Sequence, residues 1–95
     1  MAAYMIVDTA VSEPAEYEKY KVAAAPLISQ HGGRYLVRGG AREVLEGAWQ
    51  PHRLVLLEFP TREQALAFWH SPEYAAASQH RLTSASLDVV LVEGT

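Results

Sequence analysis

The chain has 95 residues, 49% of them apolar and 20% charged, which predicts one folded domain and excludes a disordered chain. Eight Lys and Arg against eleven Asp and Glu give a net charge of −3, so no basic field recruits nucleic acid or an anionic membrane. The absence of cysteine excludes disulfides, Cys–zinc sites, iron–sulfur clusters and thiol nucleophiles, and suits a reducing compartment.

The opening stretch meets Asp8 before it could act as a signal segment, and no apolar run approaches the ~20 residues of a membrane helix. The expectation is a soluble cytoplasmic protein. A domain this short buries only about 60–65% of its unfolded surface, so oligomerisation is a natural source of extra burial.

Ala3–Ala10 is short, apolar and rich in β-formers, and reads as a strand. Ser12-Glu13-Pro14 reads as a helix start, with serine as cap and proline in the first turn. Tyr17, Tyr20, Ala24, Leu27 and Ile28 then recur at helical spacing. Pro26 is expected to kink or shorten this helix, and Gly32-Gly33 to stop it. Arg34–Arg38 is the second strand, ended by Gly39-Gly40. Residues 39–51 form a long connection, and connections of that length are often functional.

Arg53–Phe59 is the clearest strand, closed by Pro60. Thr61 with Gln64 forms a capping box before a helix carrying Ala65, Phe68 and Trp69. Ser71-Pro72-Glu73 restarts a helix that runs through Tyr74 and Ser78 to Arg81. Leu87–Val92 is the last strand. The order βαββαβ predicts an α+β, ferredoxin-like sandwich: a four-stranded antiparallel sheet with helices on one face.

Strand parity assigns the faces. Met5, Val7, Tyr35, Val37, Val55, Leu57, Phe59, Val89 and Leu91 belong under the helices. Tyr4, Ile6, Asp8, Leu36, Arg38, Leu54, Leu56, Glu58, Asp88, Val90 and Val92 fall on the other face. That second face is apolar at its centre, where a solvated face would be polar. The expectation is a homodimer whose two sheets face one another and enclose a cavity.

Arg34-Tyr-Leu-Val-Arg-Gly-Gly40, Leu45-Glu-Gly47, Arg53-Leu-Val-Leu-Leu-Glu-Phe-Pro60, Ser71-Pro-Glu-Tyr74, Arg81 and Val92-Glu-Gly94 together resemble the DUF1330 family. Thr61 stands where that family often has serine, which keeps the helix cap. The resemblance implies a dimeric α+β barrel. It implies no assigned reaction, and fold analogy does not choose one.

Parity places Arg38 and Glu58 on neighbouring strands and one face, with Asp8 beside them. Arg38 is then expected to fix an anionic or carbonyl group, with Glu58 or Asp8 as the proton-transfer residue. The alternative is a structural ion pair across the hairpin or the dimer seam. Glu46 and Arg53 flank the long connection, where they either line a mouth or tie the loop to the sheet; the tie is favoured. Gly39 and Gly40 permit positive φ beside Arg38 and count with it as ligand-binding candidates, although no phosphate-loop pattern is present. Core packing explains most helix aromatics, while Tyr20 and Tyr74 are the two whose hydroxyls are candidates for reaching a cavity. His31, His52, His70 and His80 show no ligand spacing, so neither metal nor other cofactor is expected. The function expected is small-molecule binding in a cavity between sheet and helices, with cofactor-independent acid–base or isomerase-like chemistry. The alternative is a non-catalytic homodimeric interaction module.

Overall fold

Apolar residues at every second position, Ala3, Met5 and Val7 in Ala3–Val11 (β1) and Val55, Leu57 and Phe59 in Leu54–Phe59 (β3), are buried, and these two strands form the centre of the sheet. The computed structural model describes residues 1–95. Its remaining elements are α1 (Pro14–Gln30), β2 (Arg34–Arg38), α2 (Arg62–Trp69), α3 (Pro72–Leu82) and β4 (Ala85–Glu93). The strand order is β2-β3-β1-β4, with every neighbouring pair antiparallel. The architecture is therefore the ferredoxin-like α+β sandwich read from the sequence.

One face of the sheet carries the core. Met5, Val7, Val55, Leu57 and Phe59 are buried against Ala24 and Ile28 of α1, Ala65 and Phe68 of α2 and Tyr74 of α3. Phe59 stacks on Phe68 with ring centroids 5.5 Å apart. A Cβ on Gly33 would lie 2.6 Å from the Phe59 ring, so a glycine there lets the chain leave α1 directly over that ring.

The helix ends follow local chemistry. Thr61 Oγ1 accepts from the Gln64 N–H at 3.1 Å, and Ser71 Oγ accepts from the Tyr74 N–H at 3.1 Å. Ser12 does not cap α1. Glu13 holds that position without a side-chain bond, and the Ser12 hydroxyl donates to the Ser84 carbonyl at 3.1 Å. That carbonyl also receives the Ser12 and Glu13 N–H groups, so the start of α1 is fastened to the start of β4 instead. Nor does Pro26 cut α1 short: the helix runs 17 residues, to Gln30. The forfeited bond is the one to Val22, at a position 74% exposed and outside the core.

The parity reading needs one correction. Arg34 pairs with Glu58 and Tyr35 with Leu57, but the next partners are Val37 with Leu56 and Arg38 with Val55. Leu36 is an extra residue, a β-bulge. Directly opposed residues share a face, so the bulge moves Val37 to the open face and turns Arg38 toward the helices.

Candidate functional site

The bulge places Arg38 at a pocket between the sheet and helices α1, α2 and α3. Seventeen residues line it, thirteen of them hydrophobic. The other four are Thr9, Lys21, Arg38 and Arg53; no aspartate, glutamate or histidine is among the seventeen. The enclosed free space is about 40 Å³.

α1 contributes Tyr20 and α3 contributes Tyr74, and their hydroxyls are hydrogen-bonded to each other at 2.9 Å. Trp69 packs on Tyr74 at 5.1 Å, and the Arg81 guanidinium lies 5.6 Å from the Trp69 ring. Burial raises the Tyr20 pKa far above the ordinary phenol value, and the neighbouring Tyr74 adds to the effect. Tyr20 is therefore a neutral hydrogen-bonding group at physiological pH, not a phenolate base. Burial also raises Tyr35, against the pull of Arg38, whose guanidinium sits 4.3 Å above the Tyr35 ring.

Gly39 follows with φ +70, and a Cβ there would lie 2.6 Å from Arg53 Nε. Only glycine lets the Arg53 guanidinium lie across this turn without strain. Gly40 meets nothing on its Cβ side and is not among the pocket residues.

Glu58 and Asp8 lie on the opposite face of the sheet, so the expected grouping with Arg38 does not form. Glu58 receives Arg34 Nε at 2.7 Å. The Arg34 guanidinium, with the facing Tyr4 hydroxyl, holds the Glu58 carboxyl below the usual range. Asp8 is 8% exposed and accepts from the His52 N–H at 2.9 Å and from Trp49 Nε1 at 3.2 Å. It thus fastens the 39–53 connection to the sheet. Glu46 is exposed and forms no ion pair, so it does not tie the loop to the sheet. Glu46 instead borders a groove within the connection beside Trp49.

Burial opposes ionisation of Asp8, but donors from His52, Trp49 and Arg53 outweigh it and lower its pKa from the ordinary 3.8. A carboxyl whose folded value is depressed stabilises the fold fully above its unfolded value. That contribution disappears as pH falls through the lower, folded value. In an acid titration from about pH 5 to 2, the Trp49 indole N–H resonance is expected to move with a midpoint below 3.8. A midpoint at or above 3.8 would remove Asp8 as the clamp. At neutral pH, Asp8→Ala is expected to speed tryptic cleavage after Arg42 roughly tenfold, because cleavage follows local opening.

Of the site residues read from the sequence, the structure brings together Arg38, Arg53, Tyr20 and Tyr74 at the pocket, with Gly39 beneath Arg53. Glu58, Asp8, Gly40 and Glu46 lie outside its lining. Thr9 and Lys21 were missed. Thr9 had a signal: it is the one polar residue in the row Ala3, Met5, Val7, Thr9 on the core face of β1. Among the histidines, His80 bonds Glu16 at 2.8 Å and His31 Nδ1 meets the Leu27 carbonyl at 2.8 Å. No three His, Asp or Glu side chains converge on a point that could hold a metal ion. No helix is long and apolar enough to cross a membrane.

The family model DUF1330, a domain of unknown function, matches residues 2–95. No curated protein matches the chain. Among solved structures, the fold is similar to a protein of unknown function from Rhodopseudomonas palustris. It has 16% identity and TM-score 0.81, and the match covers 99% of this chain and 82% of that one. It is also similar to SnoaB, a cofactor-independent oxygenase from Streptomyces nogalater, at 11% identity and TM-score 0.68, covering 99% and 93%. A dimeric ferredoxin-like protein of unknown function from Jannaschia sp. CCS1 shares 14% identity at TM-score 0.64, covering 99% and 100%. At these identities the likeness is one of fold.

Proposed function

The chain belongs to the DUF1330 family, and we propose that it is a homodimer binding a small organic molecule between its sheet and its helices. The observation that carries this reading is the pocket itself, with an apolar and aromatic interior and its charged residues confined to Lys21, Arg38 and Arg53. A cavity near 150 Å³ holds a benzene ring, so at about 40 Å³ the pocket is closed to one. Arg38 is exposed and Lys21 and Arg53 half-buried, so these long side chains are the ones free to swing aside for entry.

The chemistry fitting this lining is orientation and hydrogen bonding, with Tyr20 and Tyr74 offering hydroxyls to a carbonyl or hydroxyl group of the ligand. No carboxylate or imidazole faces the pocket, so Glu58 and Asp8 take no proton from a molecule bound there. A reaction in the pocket would rest on polarisation by its own donors and cations. SnoaB, a cofactor-independent oxygenase on this fold, supports such an economy of groups without fixing the reaction.

Pairing is proposed through the open face of the sheet. Ile6, Leu36, Val90 and Val92 are 38%, 42%, 59% and 45% exposed, a run of apolar surface that a monomer would present to water.

The small free volume also favours a second reading, a non-catalytic homodimeric module whose charged residues are architectural. Titrating ¹⁵N-labelled protein with benzamide separates the two. Pocket binding is expected to shift the amide resonances of Tyr20, Tyr35, Val55, Trp69 and Val89. If these stay still up to the solubility limit of the compound, the second reading replaces the first.

A further inference from the structure

We infer that the ligand of this pocket is a carboxylate on an apolar, ring-like body, received by the Thr9 hydroxyl and the Arg53 and Arg38 guanidinium groups. This rests on the pocket reading above and names the substrate class.

The first ground is charge. The chain as a whole carries −3, yet the pocket has three cationic residues and no anionic one. Composition therefore works against this corner, and the topology has still gathered it. Lys21 is paired with Glu18 at 2.6 Å on its own helix, whereas Arg38 and Arg53 have no carboxylate partner. Two guanidinium groups left unpaired at one mouth, in an acidic protein, suit an anion.

The second ground is the Thr9 hydroxyl. Thr9 is 1% exposed and lines the pocket, and its Oγ1 is buried with no hydrogen-bond partner. Buried polar groups are ordinarily paired, and an orphan in a binding cavity points to a partner that arrives. Its strand is fixed beside Arg53, because the Thr9 N–H donates to the Arg53 carbonyl at 2.8 Å. Thr9 and Arg53 are therefore held next to each other on the same face.

The third ground is the backbone. Gly39 has φ +70 and clears the space that Arg53 Nε occupies, and the Leu36 bulge turns Arg38 inward. Two separate departures from regular strand geometry thus serve the same corner. Donors in this arrangement fit a carboxylate, which takes the parallel N–H pair of a guanidinium and keeps lone pairs for a hydroxyl. The aromatic residues Tyr20, Tyr35, Trp69 and Tyr74 line the rest of the chamber and fit a flat apolar body.

The test compares benzoate with benzamide, which share a shape and differ in charge, by amide-shift titration. Benzoate is expected to bind about tenfold tighter, with the largest shifts at Thr9, Arg38 and Arg53. Arg53→Met is expected to abolish that preference. Thr9→Val is near-isosteric and is expected to weaken benzoate about fivefold and benzamide by less. Equal affinity of the two compounds at the pocket in the parent protein overturns the carboxylate assignment and leaves the pocket reading intact. Pocket resonances that respond to neither compound overturn both. A benzoate preference that survives Arg53→Met and Thr9→Val shows that the anion is read elsewhere, and overturns the assignment to these residues.

Discussion

Leu56→Glu is expected to give a folded monomer. Leu56 lies opposite Ile6 on one side and Val37 on the other, and Ile6 lies opposite Val90. These four form an apolar row across all four strands of the open face. The core lies on the reverse face, under the helices, so a charge at position 56 leaves Val55, Leu57 and Phe59 packed as before. In a face-to-face dimer the row of one protomer meets that of its copy, and two unpaired carboxylates would be desolvated near the centre. Burying such charges costs several kcal/mol, enough to weaken association at least about a hundredfold. Sedimentation at micromolar concentration is expected to show a dimer for the parent and a monomer for the variant, with unchanged circular dichroism. A variant that remains dimeric, or a parent that is monomeric, overturns pairing through this face.

Phe68→Ala is expected to bring the chain close to its unfolding limit. Phe68 is 2% exposed and sits where three rings meet, 5.5 Å from Phe59, 4.5 Å from Tyr74 and 5.9 Å from His31. Truncating a buried phenylalanine to alanine removes its transfer energy and leaves a cavity, together about 3–5 kcal/mol. A chain of 95 residues has in total about 5–14 kcal/mol of stability. The melting temperature is expected to fall by roughly 15–30 °C, read by calorimetry. A fall of only a few degrees would mean that α2 is not the element that joins sheet and helices into one core. Thr9→Val is expected to act in the opposite direction, raising stability by about 1 kcal/mol in a denaturant titration, because it removes a buried hydroxyl that has no partner.

The elements were legible because their signals are local. Thr61 with Gln64 and Ser71 with Pro72 mark the starts of α2 and α3 within four residues, and both caps form. The apolar alternation of Met5, Val7, Val55, Leu57 and Phe59 identified the core face, since burial of one face imposes period two. The candidate site was only half legible. Tyr20, Tyr74, Arg38 and Arg53 were picked out, but Arg38 was placed on the wrong face. Period-two counting assumes an unbroken ladder, and nothing in Arg34-Tyr-Leu-Val-Arg38 announces a bulge: it contains neither glycine nor proline. The partners that hold Asp8 are out of sight in the local sequence. They lie 41 and 44 residues away, in the connection, and reach it only once the chain has folded back.

The extra residue at Leu36 makes the pairing of β2, and not its sequence, the selector for what the protein exposes on each side. Removing that one position would only regularise the ladder, with Val37 still opposite Leu56 and Arg38 still opposite Val55; drawing Leu36 into the ladder instead would send Arg38 to the open face and Val37 under the helices. The facing of that arginine is therefore set by an irregularity of pairing and not by the composition of β2.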